Sequence, residues 1–490
     1  MKEPVKFYIR TISPIHIGCD EVYEPTSFVL DENVRQMIVF DPLSFISKMG
    51  DDDKIKFSQI CARGSIASIL EIYKFMRDKT VEGRAVGVCH DFLDHYRQTL
   101  SMPLRNQREI QQNLNNFAIP RTAFRNIDQR PYIPGSSLKG ALRTAYLNLM
   151  ESEKKLSQRG KERNAKKLEQ RLMEYDGIPS DPFRMVKVSD FMPVSETRTR
   201  IVYGVNEKKK QTDRDARGLP LIFEVVPPGS DFVGTIAVDS PPHGSDIRKH
   251  VSIEKLLSST IFYTKEKQRE DKELSDIGVV TNSENSRFQG QKNSFLIRVG
   301  RHSGAESVTI EGHRNIFIMG KRGEKKHLKH ATTLWLASEE RKPQSNKYLS
   351  PFGWAVMAQM NPELSRKSQE EKAFLEDNRQ KQQILFQRHE KREEGQFIAE
   401  LGTGAQLPQS KGRVHQLSET SLEKLIKELD LVKANDMGRI GTVIQKIDTL
   451  ETDAEKGAIA KAIRYKIGAK AFKKHKRKEY LVELIKKAKQ

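Results

Sequence analysis

The sequence predicts an α+β protein, and three observations carry that expectation. Strand-length runs of alternating apolar residues occur near the start and again between about 183 and 357. Helical periodicity fills the interval between them instead of following each strand in turn. A last, lysine-rich stretch is helical throughout. Strands, then helices, then more strands mark an α+β architecture, whereas regular strand–helix alternation would mark a parallel sheet.

Each element follows from its local pattern. Residues 6–17 open with a strand carried by Phe7, Ile9 and Ile12 and broken at Pro14. Ile15-His16-Ile17-Gly18 then makes a short apolar turn. His16 is there either as a core-edge histidine or as a ligand or acid–base group at a strand end. Residues 27–30 and 37–40 form a hairpin around Asp31-Glu32-Asn33. From Asp41 to about Asn116 the pattern is helical. Ile66, Ile69, Leu70, Tyr73, Phe75 and Met76 make one amphipathic face, and Phe92, Leu93, Tyr96 and Leu100 another. Residues 41–116 are therefore expected as a helical insert in a first module, 1–150. Residues 119–127 return to extended chain, kept basic by Arg121, Arg125 and, just beyond, Arg130.

Residues 131–150, PYIPGSSLKGALRTAYLNLM, read as a tight turn opening straight into a helix. Pro131 and Pro134 hold the chain extended, because a residue before proline is pushed away from helical angles. Gly135 permits a bend, and Ser136 or Ser137 is positioned to cap the helix. Leu138, Ala141, Leu142, Ala145 and Leu149 form one apolar stripe, while Lys139 and Arg143 sit together on another face. Free backbone N–H groups, the positive end of a helix dipole, two hydroxyls and two cations add up to an anion site. A nucleotide P-loop is excluded: Gly135 and Gly140 have its spacing, but Ala141 and Leu142 follow where it needs lysine and a hydroxyl. A nucleic-acid phosphate fits better. The alternative is an ordinary capped helix whose Lys and Arg are solvated.

A second module is expected over 151–357. Residues 151–175 read as a charged, solvated helix, and 183–188 and 199–203 as strands. Residues 207–218 read as a polar loop. Residues 221–226 and 232–238 look like a hairpin around Pro227-Pro228-Gly229. Residues 240–290 are helical and polar with little signature. The strand at 295–299 runs into a glycine loop, Gly300-Arg301-His302-Ser303-Gly304, where small residues let another backbone approach. Arg298, Arg301 and His302 supply charge and donors there. Residues 332–337 and 352–357 look like closing strands, with Trp335 and Trp354 in the core. A charged linker, 358–411, and a basic helical tail, 412–490, complete the expected organisation.

Composition points the same way. The 490 residues carry 85 Lys and Arg against 65 acidic residues, a net +20, which favours a polyanionic partner. Residues 456–490 hold 13 of the basic residues and 2 of the acidic ones, so over half of the net charge lies in that block. A membrane surface is the other polyanion, but no apolar run of about 18 residues and no amino-terminal signal pattern occurs. Cys19, Cys61 and Cys89 are widely separated, so neither a cysteine zinc site nor a disulfide framework is expected, in keeping with a cytoplasmic location. No cofactor or metal is expected.

The motifs HIG at 16–18, PYIPGSSLKGALR at 131–143 and LIRVGRHSGA at 296–305 resemble those of the RAMP superfamily of CRISPR effector proteins. The run SPIHIGCDEVYEPTSFVLDE, the following FDP and the closing FGW at 352–354 are most similar to the single-copy Csm subunit that caps the 3′ end of the guide RNA in type III-A complexes. The resemblance covers roughly 4–357. It implies tandem ferredoxin-like, RRM-related modules that hold the sugar–phosphate backbone of the crRNA. It further implies neighbours in a backbone RAMP subunit and a small helical subunit, with target RNA as a further partner. By position it places Ser136, Ser137, Lys139 and Arg143 along the guide, with His16, Arg298, Arg301 and His302 near it. The glycine-rich, aspartate-bearing loop of the cutting relatives is replaced by Glu21-Val22-Tyr23-Glu24-Pro25-Thr26-Ser27, which implies a member that does not cleave. Asp20, Glu21 and Glu24 are expected to be solvated and not metal ligands. The alternative is a metal-independent endonuclease processing CRISPR transcripts through His16 or His302.

Overall fold

The computed structural model describes residues 3–360 except 104–106, 160–161, 163, 211–217, 281–292 and 320–324, together with scattered positions between 365 and 487. Two compact units result, Met1–Gln387 and Arg388–Gln490.

The first unit is built on two sheets. In the first sheet, Trp354–Gln359, Val5–Thr11, Asp231–Val238 and Val186–Val188 lie side by side, every pairing antiparallel. Ser294–Arg298 is added at the outer edge, beside Trp354–Gln359. Numbered along the chain, the four main strands stand in the order 4-1-3-2. The helix Gly135–Lys154 connects the first to the second, and Ile261–Asp276 lies between the third and the fourth. This is the βαββαβ arrangement of a ferredoxin-like module. One strand shows how the sheet meets its helices. In Asp231–Val238 alternate residues are buried, so Phe232, Ile236 and Val238 face the helices. They meet Phe7, Ile9 and Met357 from neighbouring strands and Leu138, Leu142 and Ala145 from the helix stripe. Each such side chain contributes about 1.5–3 kcal/mol when fully buried.

The second sheet runs Ser350–Pro351, Thr333–Ser338, Arg200–Lys208, Arg84–Val88, Gln36–Val39 and Phe28–Asp31, with Leu221–Val225 also paired to Arg200–Lys208. The expected hairpin 28–39 is present. Ile66–Arg77 and Phe92–Leu100 cover one face, joining Tyr73, Phe92, Tyr96 and Phe117 to Ile201, Tyr203 and Leu336.

Both sheets draw strands from either side of residue 150. The modules are nested and not laid end to end, and a boundary at 150 would cut the helix that closes the first. The 41–116 stretch is not purely helical either, because Arg84–Val88 enters the second sheet in parallel with Arg200–Lys208. The expected 221–238 hairpin does not form. Leu221–Val225 pairs with Arg200–Lys208, whereas Asp231–Val238 pairs with Val5–Thr11. Pro227-Pro228-Gly229 is thus a crossing between sheets, not a hairpin turn.

The polar helix Ile261–Asp276 buries its charges. Glu270 pairs with Arg298 at 2.7 Å and accepts from Trp354 Nε1 at 2.6 Å. Glu266 pairs with Arg269 and Arg314, and Lys267 with Asp271. Trp354 is fully buried, as expected, while Trp335 is half-buried.

The second unit has a core of its own, in which Leu425, Leu429, Ile440, Ile444 and Ile447 meet Ile459, Ile463, Phe472, Leu481 and Leu484. The helix Lys478–Lys487 closes it. Leu422 and Ile426, most of the 358–411 linker and the 211–217 part of the polar loop lie outside the described residues.

Candidate nucleic-acid interface

Three motifs far apart in sequence meet through backbone hydrogen bonds. Arg301 N–H donates to the His16 carbonyl at 2.8 Å, which joins the glycine loop to HIG. Ala123 N–H donates to Ile17 O at 2.7 Å and Tyr132 N–H to Ala123 O at 3.1 Å, which joins HIG to the proline stretch. Ile133 and Phe191 exchange both backbone bonds, at 3.0 and 2.9 Å. The sequence explains the closeness. A Cβ on Gly300 would lie 2.5 Å from His16 O, and Gly300 has φ +90°, so only glycine fits twice over.

The helix start at Gly135 differs from expectation. Neither serine caps it; Pro134 is the cap residue, with Ser136 and Ser137 inside the first turn. The carboxylate of Asp190 accepts from Gly135 N–H at 2.7 Å instead. Gly135 is required by contact and not by a bend: its φ is unexceptional, but a Cβ there would come within 2.4 Å of Val188 O and 2.6 Å of Ser189 O. Ser136 is exposed and Ser137 and Lys139 are half-buried beside this start. Burial, together with the nearby charge of Lys187, pulls the Lys139 ammonium below its ordinary value. Neither ammonium has an ion-pair partner among the described residues, and the Asp181 carboxylate, itself paired with Arg143, offsets their repulsion only in part. An anion between them relieves that repulsion.

Arg301 is exposed. Its guanidinium lies against Gly18, and it reaches the exposed carboxylate of Asp20 only at 3.6 Å.

Three of the expected contact residues are committed to other groups of the protein. Arg143 pairs with Glu169 at 2.8 Å and Asp181 at 2.9 Å, donates to Tyr175 Oη and lies over the Phe183 ring. Arg298 is 4% exposed, bound to Glu270, the Phe352 carbonyl and Ser307. His16 is wholly buried, its Nδ1 2.7 Å from the Glu224 carbonyl and its ring 4.9 Å from Phe223. These positions suit fold-holding residues, not phosphate ligands.

His302 is half-buried at φ +62°, its ring centroid 4.7 Å from Phe223 and 4.8 Å from Trp335. Burial, helped by the charges of His16 and Arg301, lowers its pKa to about 4. Burial also lowers that of His16. Both shifts keep the imidazoles unprotonated at neutral pH, the wrong state for a general acid. Among the described residues no three His, Cys, Asp or Glu side chains stand close enough to share a metal ion, and no helix is long and apolar enough to cross a membrane.

Sequence reasoning missed Lys187 and Asp190. Both lie where the chain from Val186–Val188 runs past the helix start, and only the sheet pairing brings them there. A groove of ≈ 1510 Å³ beside Tyr23 and Arg121 is lined by Glu24, Asp41 and Asp53 as well as Lys48, Lys79 and Arg125. Its mixed charge does not select a polyanion.

Residues 8–296, more than half of the chain, match the RAMP superfamily. The protein named CRISPR system Cms protein Csm5 of Streptococcus thermophilus is 29% identical over 237 residues, 46% of this chain and 60% of the relative. Its namesake in Methanocaldococcus jannaschii is 29% identical over 188 residues, 36% of this chain and 40% of the relative. The chain thus spans less than two thirds of the length of either. A chain of a solved Csm–crRNA–target RNA ternary complex aligns with a TM-score of 0.48 at 17% identity, covering 72% of this chain and 100% of that one. The crystal structure of T. onnurineus Csm5 aligns at 0.42 and 16%, covering 71% and 99%. On the match over residues 8–296, this chain belongs to the RAMP superfamily.

Proposed function

We propose that this chain is a Csm5-like subunit of a type III-A CRISPR effector complex, holding the 3′ region of the crRNA and ending the filament of backbone subunits. The observation that carries the reading is the edge on which HIG, the proline–glycine helix start and the glycine loop are hydrogen-bonded together. It offers hydroxyls at Ser136 and Ser137 and cations at Lys139, Lys187 and Arg301, with His302 behind them. Such groups grip ribose and phosphate and read no base, which suits a subunit that must accept any guide. The two relatives named Csm5 support the subunit class.

Capping requires one face that meets the neighbouring backbone subunit and another that cannot continue the stack, since a heterologous contact otherwise propagates. The helices between 42 and 116 and the 388–490 unit are the surfaces proposed to stop it. In this reading the chain protects the guide as it is trimmed to final length, in the cytoplasm, and cuts nothing itself. The test is reconstitution with the other Csm subunits and a repeat-containing transcript, followed by sequencing of the bound RNA ends. Lys139→Ala/Arg301→Ala chains should yield guides with shortened or ragged 3′ ends. Uniform, full-length ends from that variant would refute the proposal.

A further inference from the structure

Beyond His313 the chain leaves both sheets. Ile316–Met319 and Lys325–Leu328 pair with each other and with no other described strand. A lone two-stranded hairpin is marginal in water, so its roots matter. They are fixed by buried charge. Arg314 bonds to Glu266 at 2.7 Å and to the Glu306 carbonyl at 3.1 Å. On the returning side Ala331 N–H donates to Glu306 Oε1 at 2.9 Å, and Lys209 pairs with the same carboxylate at 2.7 Å. Burial opposes the charge of Glu306, but the Lys209 and Arg269 cations and the Ala331 N–H outweigh it and hold the carboxyl below its usual range.

Strand alternation sorts the hairpin into two faces. Ile316, Ile318 and Leu328 are half-buried on one. On the other, Phe317 and His327 are direct cross-strand partners with ring centroids 5.7 Å apart, and Phe317 is 47% exposed. Lys325, two residues before His327, and Lys329, two after it, are exposed as well. Residues 321–330 contain five Lys or Arg and one Glu. An exposed aromatic pair among lysines does not suit an apolar protein partner, whose docking would desolvate those cations. It suits a polyanion that also carries π faces.

We propose that Phe317, with the His327 ring set edge-on beside it at 62°, is a stacking platform for an unpaired base of single-stranded RNA, with Lys325 and Lys329 taking the flanking phosphates. The hairpin is a second contact, apart from the Gly135 edge. The chain leading into it is held to Asn148, which donates to Thr309 O at 3.2 Å and accepts from Glu311 N–H at 2.8 Å. Twelve residues of helix separate Asn148 from Ser136, about 18 Å at 1.5 Å per residue. The proposal rests on the RNA-binding reading above and adds an element that touches bases and not only the backbone.

The test uses the full chain and a fluorescently labelled single-stranded RNA. Phe317→Ala should weaken binding about ten- to a hundredfold without changing the salt dependence. Lys325→Ala with Lys329→Ala should lower the salt slope by about 1.4, two single-strand phosphate contacts. Phe317→Trp should keep affinity, and the emission it adds to that of the wild type should be quenched by RNA. Phe317 is exposed, so all three variants should melt like the wild type. Wild-type affinity in Phe317→Ala, or a Phe317→Trp emission unmoved by RNA, overturns the platform while leaving the Gly135 edge standing. So does a Phe317→Ala chain that loses a protein partner but not RNA. A wild-type chain that binds no RNA removes the parent reading and the platform with it.

Discussion

Gly135 and Gly140 stand on one helix, five residues apart, and should respond to alanine with opposite signs. A Cβ on Gly135 would fall 2.4 Å from the Val188 carbonyl and 2.6 Å from that of Ser189. Both are backbone oxygens, and the bond from Gly135 N–H to Asp190 holds them in place. The clash cannot be relieved by a side-chain rotation, so the helix start or the 186–191 segment must move. Overpacking of this kind costs about 1–3 kcal/mol. A Cβ on Gly140 meets nothing within 4 Å. Alanine there gains helix propensity, about 0.8–1 kcal/mol. The pair should therefore differ by roughly 2–4 kcal/mol in urea unfolding, followed by a probe of the first unit. Gly135→Ala should also weaken RNA binding, because the Asp190-capped start carries Ser136 and Lys139, whereas Gly140→Ala should leave it intact. Equal stabilities, or a stabilising Gly135→Ala, would refute the close approach and with it the assembled edge.

Three further outcomes follow from the same geometry. Arg143→Ala should cost stability, about 1.5–3 kcal/mol for its charged hydrogen bonds, yet leave the salt dependence of RNA binding unchanged, while Lys139→Ala with Lys187→Ala should lower the slope by about 0.7 per lost single-strand phosphate contact. His302 takes its proton near pH 4 in the fold and near 6.5 when unfolded, so the unfolded chain binds the extra proton between those values. Stability should fall as pH drops through that window, and His302→Asn, a residue that tolerates the left-handed backbone, should flatten the fall. Deleting 388–490 should leave the first unit folded with an unshifted urea midpoint, since each unit has its own core; an insoluble truncated chain would contradict that independence.

Sequence reasoning reached the elements more easily than their partners. Val5–Thr11 and Asp231–Val238 were legible because alternation is a local signal, Trp354–Gln359 because a short apolar run is one, and the stripe from Leu138 to Leu149 because helical spacing is one too. Pairing is not local. Leu221–Val225 and Asp231–Val238 look like a hairpin across Pro227-Pro228-Gly229, yet each finds a longer strand elsewhere. The site shows the same limit. Ser136 and Arg301, singled out by motif, are exposed, but a motif does not say whether an arginine points outward. Arg143 and Arg298 meet carboxylates on Glu169, Asp181 and Glu270, of which Glu169 lies in a segment that reads as solvated helix and Glu270 in a polar stretch with little signature. Asp190 took the capping role that Ser136 and Ser137 were expected to fill, because a carboxylate from a neighbouring segment offered a charge-assisted bond.

The central claim is that RNA runs along the edge formed by residues 16–18, 131–139 and 300–302. Photocrosslinking of the assembled complex, with mass spectrometry of the peptides joined to RNA, tests it most directly. Crosslinks should concentrate on the peptides holding Ser136, Lys139 and Arg301 and should come from the 3′ part of the guide. Crosslinks confined to other surfaces, or arising from the 5′ part, would contradict the account.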